Sequence, residues 1–315
     1  MPEVKKIATR VSYGNALAEL GEIHDDIVVM DADLAASTQT AIFGKKFPDR
    51  FFDVGIQEGN MMGIAAGLAT TGKKVFASSF AMFATGRAYE IIRNSIAYPR
   101  LNVKVCASHA GVSVGEDGAS HQCIEDIALM RVIPHMVIIQ PADDIETKEA
   151  VKAAYEHKGP VYLRLARLAS PVFNTNPDYK FEFGKGITLR DGSDVTIVAS
   201  GLPVTAAMEA CDLLAADGIS ARLINIHTIK PIDEELLVKA AKETGKIVTV
   251  EEHSVIGGLG GAVCEAITEK CPVPVRRIGL HDVFGESGPA LELYKKYGLD
   301  AQGIYAQTKE FVEGK

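Results

Sequence analysis

The stretch DIVVMDAD, residues 26–33, gives the clearest indication of the fold class. Its first part, Asp26–Met30, is almost wholly apolar, which is typical of a strand covered on both faces of a parallel sheet. Comparable runs follow at Val75–Ala77, Val103–Ala107, Met136–Gln140 and Val161–Leu165. Segments with helical patterning lie between them, at Ser12–Leu20, Asn60–Thr71, Thr85–Ala97, Ile124–Met130 and Asp144–His157. This alternation predicts an α/β domain built on a mostly parallel, doubly wound sheet.

Residues 170–191 interrupt the alternation, because prolines, asparagines and glycines are concentrated there. A second alternation follows, with a helix that opens on a proline at Pro203–Asp217 and apolar runs at Val195–Ser200, Ala221–Ile226, Lys246–Val250 and Val273–Ile278. We therefore predict two open α/β domains, each with helices on both faces of its sheet. The first is expected at residues 1–180 and the second at 193–315, with a linker at 181–192.

Composition and charge exclude several classes of protein. The 315 residues are 47% hydrophobic and 23% charged, as in globular proteins, and the net charge of −8 gives no indication of the basic face with which proteins bind nucleic acid. No apolar run reaches the ~18 residues of a membrane helix, and the N-terminus lacks a secretory pattern. The five cysteines form no CxxC pair, which disfavours a structural zinc site or a disulfide framework. A cytoplasmic protein without nucleic-acid or membrane partners is expected.

Polar residues follow several of the apolar runs, at the strand ends where open α/β sheets bind ligands. They are Asp31 and Asp33, Glu58, His109, Asp117 and His121 in the loop Gly111–Gln122, and Arg167. Each one alone has a simpler explanation as a helix cap, a turn residue or a surface side chain. Their shared placement favours a joint site.

The segment Phe51–Thr71 is more specific, since Glu58 precedes a helix with small residues on one face. Gly59, Gly63, Ala66 and Gly67 recur at spacings of three and four, which allows another backbone to approach closely. Two interpretations stay open. The helix is either a tightly packed core helix or packed against its symmetry mate, which would place Glu58 near a subunit boundary.

Three stretches resemble the pyrimidine-binding half of transketolases, which use thiamine diphosphate. They are FFDVGIQEGNMMGIAAGLA, SSFAMFATGRAYEIIRN and SHAGVSVGEDGASHQ. The resemblance continues through IATR at Ile7–Arg10, DADLAAST at Asp31–Thr38, RLAR at Arg164–Arg167 and FGESG at Phe284–Gly288, and so covers essentially the whole chain. It implies transfer of a two-carbon ketol unit between a ketose phosphate and an aldose phosphate.

The resemblance also implies roles for individual residues. Glu58 would bond to N1′ of the cofactor's pyrimidine ring and exchange a proton with it, and Phe83 would pack on that ring with Phe80 beside it. Sugar phosphates would be held by Arg10, Ser37, His109 and Arg167, and donor hydroxyls by Asp117 and His121. One departure is Gly86, where transketolases often carry a tyrosine that lines the pyrimidine pocket.

The diphosphate-binding signature of full-length transketolases, Gly-Asp-Gly followed by an asparagine pair, is absent from the sequence. No metal ligands are therefore expected in this chain. The resemblance implies a split enzyme in which an N-terminal partner subunit holds the diphosphate and Mg²⁺, and the two chains form an α2β2 assembly with self-association through the pyrimidine-binding domain. The alternatives are a deoxyxylulose phosphate synthase-like or 2-oxoacid dehydrogenase β-like subunit, or a non-catalytic assembly subunit.

The glycine-rich stretch Ser254–Val263 (SVIGGLGGAV) follows a predicted strand and invites comparison with phosphate-binding loops. Its glycine spacing does not fit GxGxxG, and no Gly-Lys-Ser/Thr ending is present. We expect tight backbone packing at the start of a helix instead, and an assembly role for the second domain.

Overall fold

The computed structural model describes residues 5–176 and 179–314 and separates into two compact units. One unit comprises Met1–Ala110 and Leu129–Glu182, and the other comprises Gly111–Ala128 and Phe183–Lys315. Pro177 and Asp178, in the segment predicted to interrupt the alternation, lie outside the described residues.

The first unit alternates strands and helices as predicted. Its strands are β1 Lys6–Ala8, β2 Ile27–Asp31, β3 Phe51–Asp53, β4 Lys74–Phe80, β5 Val103–Ser108, β6 Val137–Ile139, β7 Val161–Arg164 and β8 Ala169–Pro171. Its α-helices are α1 Thr9–Ile23, α2 Ala35–Thr38, α3 Ala41–Lys46, α4 Glu58–Thr70, α5 Tyr89–Ile91 and α7 Asp144–Glu156. A 3-10 turn occupies Pro48–Arg50, and wider helical turns occupy Met82–Arg87 and Ile92–Ala97.

The sheet of this unit is parallel, in the order β6-β7-β5-β4-β2-β3. Val29 of β2 lies opposite Phe51 of β3 and Phe76 of β4, and Val75 of β4 lies opposite Val103 of β5. Strand β2 is buried along its whole length, as its apolar sequence requires. Because the strands are parallel, the loops that follow them meet at one edge.

Residues after β7 are anchored to this unit rather than loose. Strand β8 pairs antiparallel with β1, and the Ser170 hydroxyl donates to the Ala142 carbonyl at 2.8 Å. The Asp143 carboxylate caps α7 through Glu146 N–H at 2.9 Å and also accepts the backbone N–H groups of Phe173 and Asn174. One buried aspartate thereby fastens a segment that its composition alone presented as open loop.

The second unit contains the strands β9 Ile187–Arg190, β10 Val195–Ala199, β11 Ala221–Asn225, β12 Thr228–Lys230, β13 Ile247–Ser254 and β14 Val275–Leu280. Its α-helices are α6 Asp126–Arg131, whose last residues belong to the first unit, α8 Pro203–Ala216, α9 Glu234–Thr244, α10 Leu259–Thr268, α11 Ala290–Lys296 and α12 Ala301–Glu313. A 3-10 segment occupies Val112–Asp117. The sheet order is β14-β13-β10-β11-β9, parallel except for the antiparallel edge strand β9. The predicted fold class is confirmed in both units.

The structure differs from the predicted domain boundaries in two places. Strand β9 lies inside the segment 181–192 that was predicted as a linker. The sequence did not predict this strand because turn residues flank its short apolar alternation at Ile187 and Leu189. Residues 111–128 group with the second unit, because Ser113 N–H donates to the Glu252 carboxylate and Gln122 Nε2 donates to the Glu286 carbonyl.

Candidate active site

The carboxyl edge of the first sheet carries several predicted site residues. Asp31 ends β2, Glu58 is the first residue of α4, His109 directly follows β5, and Arg167 follows β7. The parallel topology brings these loops to one edge of the sheet, which is where the sequence placed them.

Glu58 is a buried carboxylate, with only 3% of its surface exposed. Nη1 of Arg87 donates to both carboxylate oxygens at 3.3 Å, while the Arg87 side chain itself is 55% exposed. The same guanidinium lies 4.4 Å from the centroid of the Phe83 ring. Arg87 was not among the predicted residues. Its position four residues after Phe83 on a helical segment was the available signal.

Phe80, Phe83 and His109 form an aromatic cluster beside this carboxylate. The Phe80 and His109 rings are stacked with centroids 3.8 Å apart, and the Phe80 and Phe83 rings are nearly parallel at 6.1 Å. His109 holds a φ of 57°, which is costly for a residue with a side chain, and its Nδ1 lies 2.9 Å from the Ser108 hydroxyl. The strained backbone fixes the imidazole against the Phe80 face.

The space beside Gly86 is filled by a neighbour. A Cβ at this position would lie 2.6 Å from Met82 Cε, the far end of a flexible side chain. Met82 therefore occupies volume next to the position where transketolases often carry a tyrosine. The glycine at position 86 therefore leaves no empty volume on the side that faces Met82.

Arg10 and Ser37 lie together, and Arg167 is close enough to affect Arg10. Nη1 of Arg10 donates to the backbone carbonyl of Ser37 at 2.7 Å, so the main chain and not the hydroxyl makes this contact. Burial lowers the pKa of Arg10, and the positive charge of Arg167 lowers it further. Within the described residues, the buried Nε of Arg10 has no hydrogen-bond partner. An oxyanion placed there would supply an acceptor and offset the repulsion between two cations.

Asp31 organises the turn that carries Ser37. Its carboxylate accepts hydrogen bonds from the Thr38 and Thr40 hydroxyls at 2.6 and 2.8 Å and from Leu34 N–H at 2.7 Å. Burial raises the pKa of Asp31 to about 6 despite these hydrogen bonds, which act in the opposite direction. Asp31 thus positions the loop from within the core.

Asp117 and His121 belong to the second unit. Asp117 ends the Val112–Asp117 segment and is exposed, and His121 Nδ1 lies 3.0 Å from the Ser120 hydroxyl. Gly118 between them has a φ of 75°, which a side chain at that position would strain. The other predicted site residues all lie in the first unit, so the predicted set is divided between the two units.

The glycine-rich stretch Ser254–Val263 is closed by the protein's own carboxylate. Glu251 of β13 accepts the N–H groups of Leu259 and Gly260, the first residues of α10, at 2.6 and 2.8 Å. A Cβ on Gly258 would collide with the same carboxylate. The Glu251 carboxylate already occupies the helix N-terminus that a phosphate would need, and this supports the packing interpretation.

The small-residue face of α4 is only partly covered. A Cβ at Gly63 or Gly67 would meet nothing within 4 Å, whereas Ala66 is buried and Gly59 faces Ile91. The core interpretation therefore does not account for Gly63 and Gly67.

The described residues show neither a metal-binding cluster nor a membrane-spanning helix. In residues 5–176 and 179–314, no group of three or more His, Cys, Asp or Glu side chains is placed to hold a metal ion. Over that same described part of the chain, every helix is too short or too polar to cross a bilayer.

Comparison with known families agrees with this architecture. Residues 5–172 match the transketolase pyrimidine binding domain, and residues 184–304 match the transketolase C-terminal domain. Two α/β units of these kinds define a section of a thiamine diphosphate-dependent transferase. The chain belongs to the transketolase family, and it corresponds to the C-terminal section of a split transketolase.

Individual relatives match the chain along its length. It is 55% identical over 303 residues to a transketolase C-terminal section of Methanocaldococcus jannaschii, covering 96% of this chain and 95% of that protein. It is 42% identical over 306 residues to the 6-deoxy-6-sulfo-D-fructose transketolase subunit SqwH of a Clostridium species, covering 97% and 95%. A solved split-gene transketolase, described as an inactive beta4 tetramer, superposes with a TM-score of 0.90 at 54% identity, covering 98% of this chain and 99% of that one. The chain spans about half of the Homo sapiens transketolase, at 38% identity over 98% of this chain and 49% of that protein.

Proposed function

We propose that this chain, together with a partner chain, transfers a two-carbon ketol unit from a ketose phosphate to an aldose phosphate. The observation that carries the proposal is the surroundings of Glu58. A carboxylate that is 3% exposed lies at the start of a helix, with one half-exposed arginine as its partner and a phenylalanine face beside that arginine.

These residues fit an aminopyrimidine ring. The Glu58–Arg87 contacts at 3.3 Å are long for a charge-assisted hydrogen bond, so the carboxyl group can exchange them for a ring nitrogen. Phe83 offers an aromatic face, and Met82 lines the volume next to Gly86. When bound, thiamine diphosphate would supply the nucleophilic carbon that ketol transfer needs.

Each predicted residue then has a defined task. Glu58 holds and moves a proton at N1′ of the pyrimidine ring, and Phe80 and Phe83 position that ring. Arg10 and Arg167, with His109 and the Ser37 segment, hold the substrate phosphate. The unsatisfied Nε of Arg10 and the repulsion between the two cations support this part of the proposal. We assign Asp117 and His121 to the hydroxyl groups of the donor.

A partner chain would supply the rest of the site. The similarity to a split-gene transketolase supports an N-terminal transketolase subunit as that partner, and we assign Mg²⁺ and the diphosphate to it. The uncovered face of α4 at Gly63 and Gly67 supports self-association of the pyrimidine-binding domain within an α2β2 assembly. The free cysteines Cys106, Cys123, Cys211, Cys264 and Cys271 support a cytoplasmic location.

The proposal is tested by reconstitution. The purified chain is mixed with the chain that carries the Gly-Asp-Gly half, thiamine diphosphate and Mg²⁺, and is given xylulose 5-phosphate and ribose 5-phosphate. Formation of sedoheptulose 7-phosphate only when both chains are present is the expected result.

Two other results would each favour a rival. Consumption of pyruvate by the assembled pair would indicate a synthase or a 2-oxoacid dehydrogenase. No binding of thiamine diphosphate by calorimetry, with or without Glu58, would indicate a non-catalytic assembly subunit.

A further inference from the structure

A cavity of about 470 Å³ opens on the first unit, and none of its lining residues belongs to the candidate active site. Arg100 lies three residues before β5 and His135 two residues before β6, so the cavity is at the amino edge of the sheet. The candidate active site lies at the opposite, carboxyl edge. Buried Ala97 and Ile133 form its floor, and Tyr98 stands at its rim with 85% of its surface exposed.

The polar groups that line this cavity are hydrogen-bond donors. Arg93, Arg100 and His135 supply N–H donors, and Tyr98 adds a hydroxyl group that can donate or accept. Nη2 of Arg100 lies 3.0 Å from Nε2 of His135, and because a guanidinium has no acceptor, the arginine donates and Nε2 accepts. The Nδ1–H of His135 and the remaining guanidinium N–H groups are left as donors. Such a lining matches an oxyanion.

Ion pairing leaves these cations unneutralised within the residues that the structure describes. In the described part of the chain, neither Arg93 nor Arg100 forms an ion pair, and Glu90 reaches Arg93 only through the side chain of Asn94. Some other surface cations in this acidic protein do pair, as Arg190 does with Asp212 and Arg276 with Glu310. The cavity therefore carries two guanidiniums whose charges are available to an anion.

The backbone is strained at the two residues that face each other. Arg100 has a φ of 57° and His135 a φ of 66°, in the left-handed region that glycine and asparagine adopt more readily. Strain of this kind is stored mostly at ligand sites and switches. Here it brings a guanidinium and an imidazole together at the mouth of one cavity.

We propose that this cavity binds the phosphate group of a small phosphorylated molecule, at a site separate from the one that holds the cofactor and substrates. Arg93, Arg100 and His135 contact the phosphate oxygens, and Tyr98 covers the organic part. The size of the cavity is within the range of small-molecule sites.

The test titrates inorganic phosphate and pyrophosphate into the full-length chain by isothermal calorimetry, in four forms. These are the native chain, the cavity variant Arg93→Gln/Arg100→Gln, the substrate-site variant Arg10→Gln/Arg167→Gln and the control Arg190→Gln. Circular dichroism melts verify that each form is folded. Loss of two charge-assisted contacts is expected to weaken binding by roughly tenfold or more in the cavity variant. The substrate-site variant and the control are expected to retain the binding event.

Binding that disappears only in the substrate-site variant would overturn the proposal and leave the proposed function intact. Equally weak binding by all four forms would also overturn it, as nonspecific. If the cavity variant binds phosphate normally but no longer associates with the partner chain, the cavity is a subunit interface and the proposal is wrong.

Discussion

Two buried glutamates, Glu58 in the first unit and Glu251 in the second, have opposite surroundings. Glu58 is the first residue of α4, and the Glu251 carboxylate reaches from β13 to the beginning of α10, so both charges lie where a helix favours an anion. Glu251 accepts the first N–H groups of α10 at 2.6 and 2.8 Å, inside a glycine-rich loop that closes on it. Glu58 has Arg87 at 3.3 Å, and that arginine is mostly in solvent.

In our proposal, this difference separates a structural carboxylate, Glu251, from a functional one, Glu58. A carboxylate saturated by short backbone hydrogen bonds has no capacity left for a ligand, and removing it breaks the fold locally. A carboxylate held by one long, exposed ion pair exchanges that partner at low cost. Burial alone does not distinguish them, since Glu58 is 3% and Glu251 2% exposed.

The largest expected effect is that of a substitution at Glu58. Glu58→Gln keeps the shape of the side chain but cannot exchange a proton, so turnover of the reconstituted enzyme should fall by roughly 10²–10⁴-fold. The melting temperature should barely change. Steady-state kinetics and calorimetric melts measure both, with exposed Glu19→Gln as the control. Native turnover in Glu58→Gln would remove the proposed role.

The converse is expected at Glu251. Glu251→Ala leaves two buried N–H groups without an acceptor and should cost about 4 kcal/mol of unfolding free energy. The activity per folded molecule should be unchanged. Urea titration gives the unfolding free energy, and Glu269→Ala on the surface is the matched control. A stability loss no larger than that of the control would show that Glu251 does not close the loop.

Asp31 is a third buried carboxylate to compare, and its carboxylate oxygens accept hydrogen bonds from two hydroxyl groups and one backbone N–H. Its pKa is about 6 in the fold and near 3.8 in an unfolded chain, so its stabilising contribution is complete below pH ~4 and is lost as the pH rises through 6. Relative to Asp31→Asn, the native chain should lose up to about 3 kcal/mol of unfolding free energy between pH 4 and pH 7. Urea titrations at several pH values measure this. A difference that does not vary with pH would contradict the raised pKa.

The smallest expected effect is that of a substitution at Phe80, whose ring stacks on the His109 imidazole with centroids 3.8 Å apart. Phe80→Leu should lower kcat/KM for phosphorylated substrates by roughly fivefold, equivalent to about 1 kcal/mol. Phe311→Leu in the second unit is the control, and rates are normalised to folded protein. An unchanged kcat/KM would mean that the stack does not position His109 for substrate.

The sequence predicted the fold well where the signal is local and repeated. Apolar runs such as Asp26–Met30 became the central strands, because a doubly covered parallel strand has few polar alternatives. Strand β9 was missed, since a short edge strand among turn residues has too few positions to show its period. The grouping of residues 111–128 was missed because it depends on contacts with residues more than a hundred positions away, such as Glu252.

For the candidate site, too, the sequence indicated which residues to consider but not all of their contacts. Residue types at strand ends pointed to Glu58, His109 and Arg167, and the family resemblance supplied their roles. The sequence did not reveal that Arg87 would pair with Glu58 or that Met82 would fill the volume beside Gly86. Both depend on how the irregular helical turn Met82–Arg87 directs its side chains, which spacing alone does not determine.

The bond from Arg10 to the main-chain carbonyl of Ser37 has a consequence for divergence among related chains. Because any amino acid provides that carbonyl, residue 37 can be replaced without releasing the guanidinium. Under the proposed function, selection can therefore alter the side chain at this position to suit new sugars while Arg10 keeps its contact with their phosphate group.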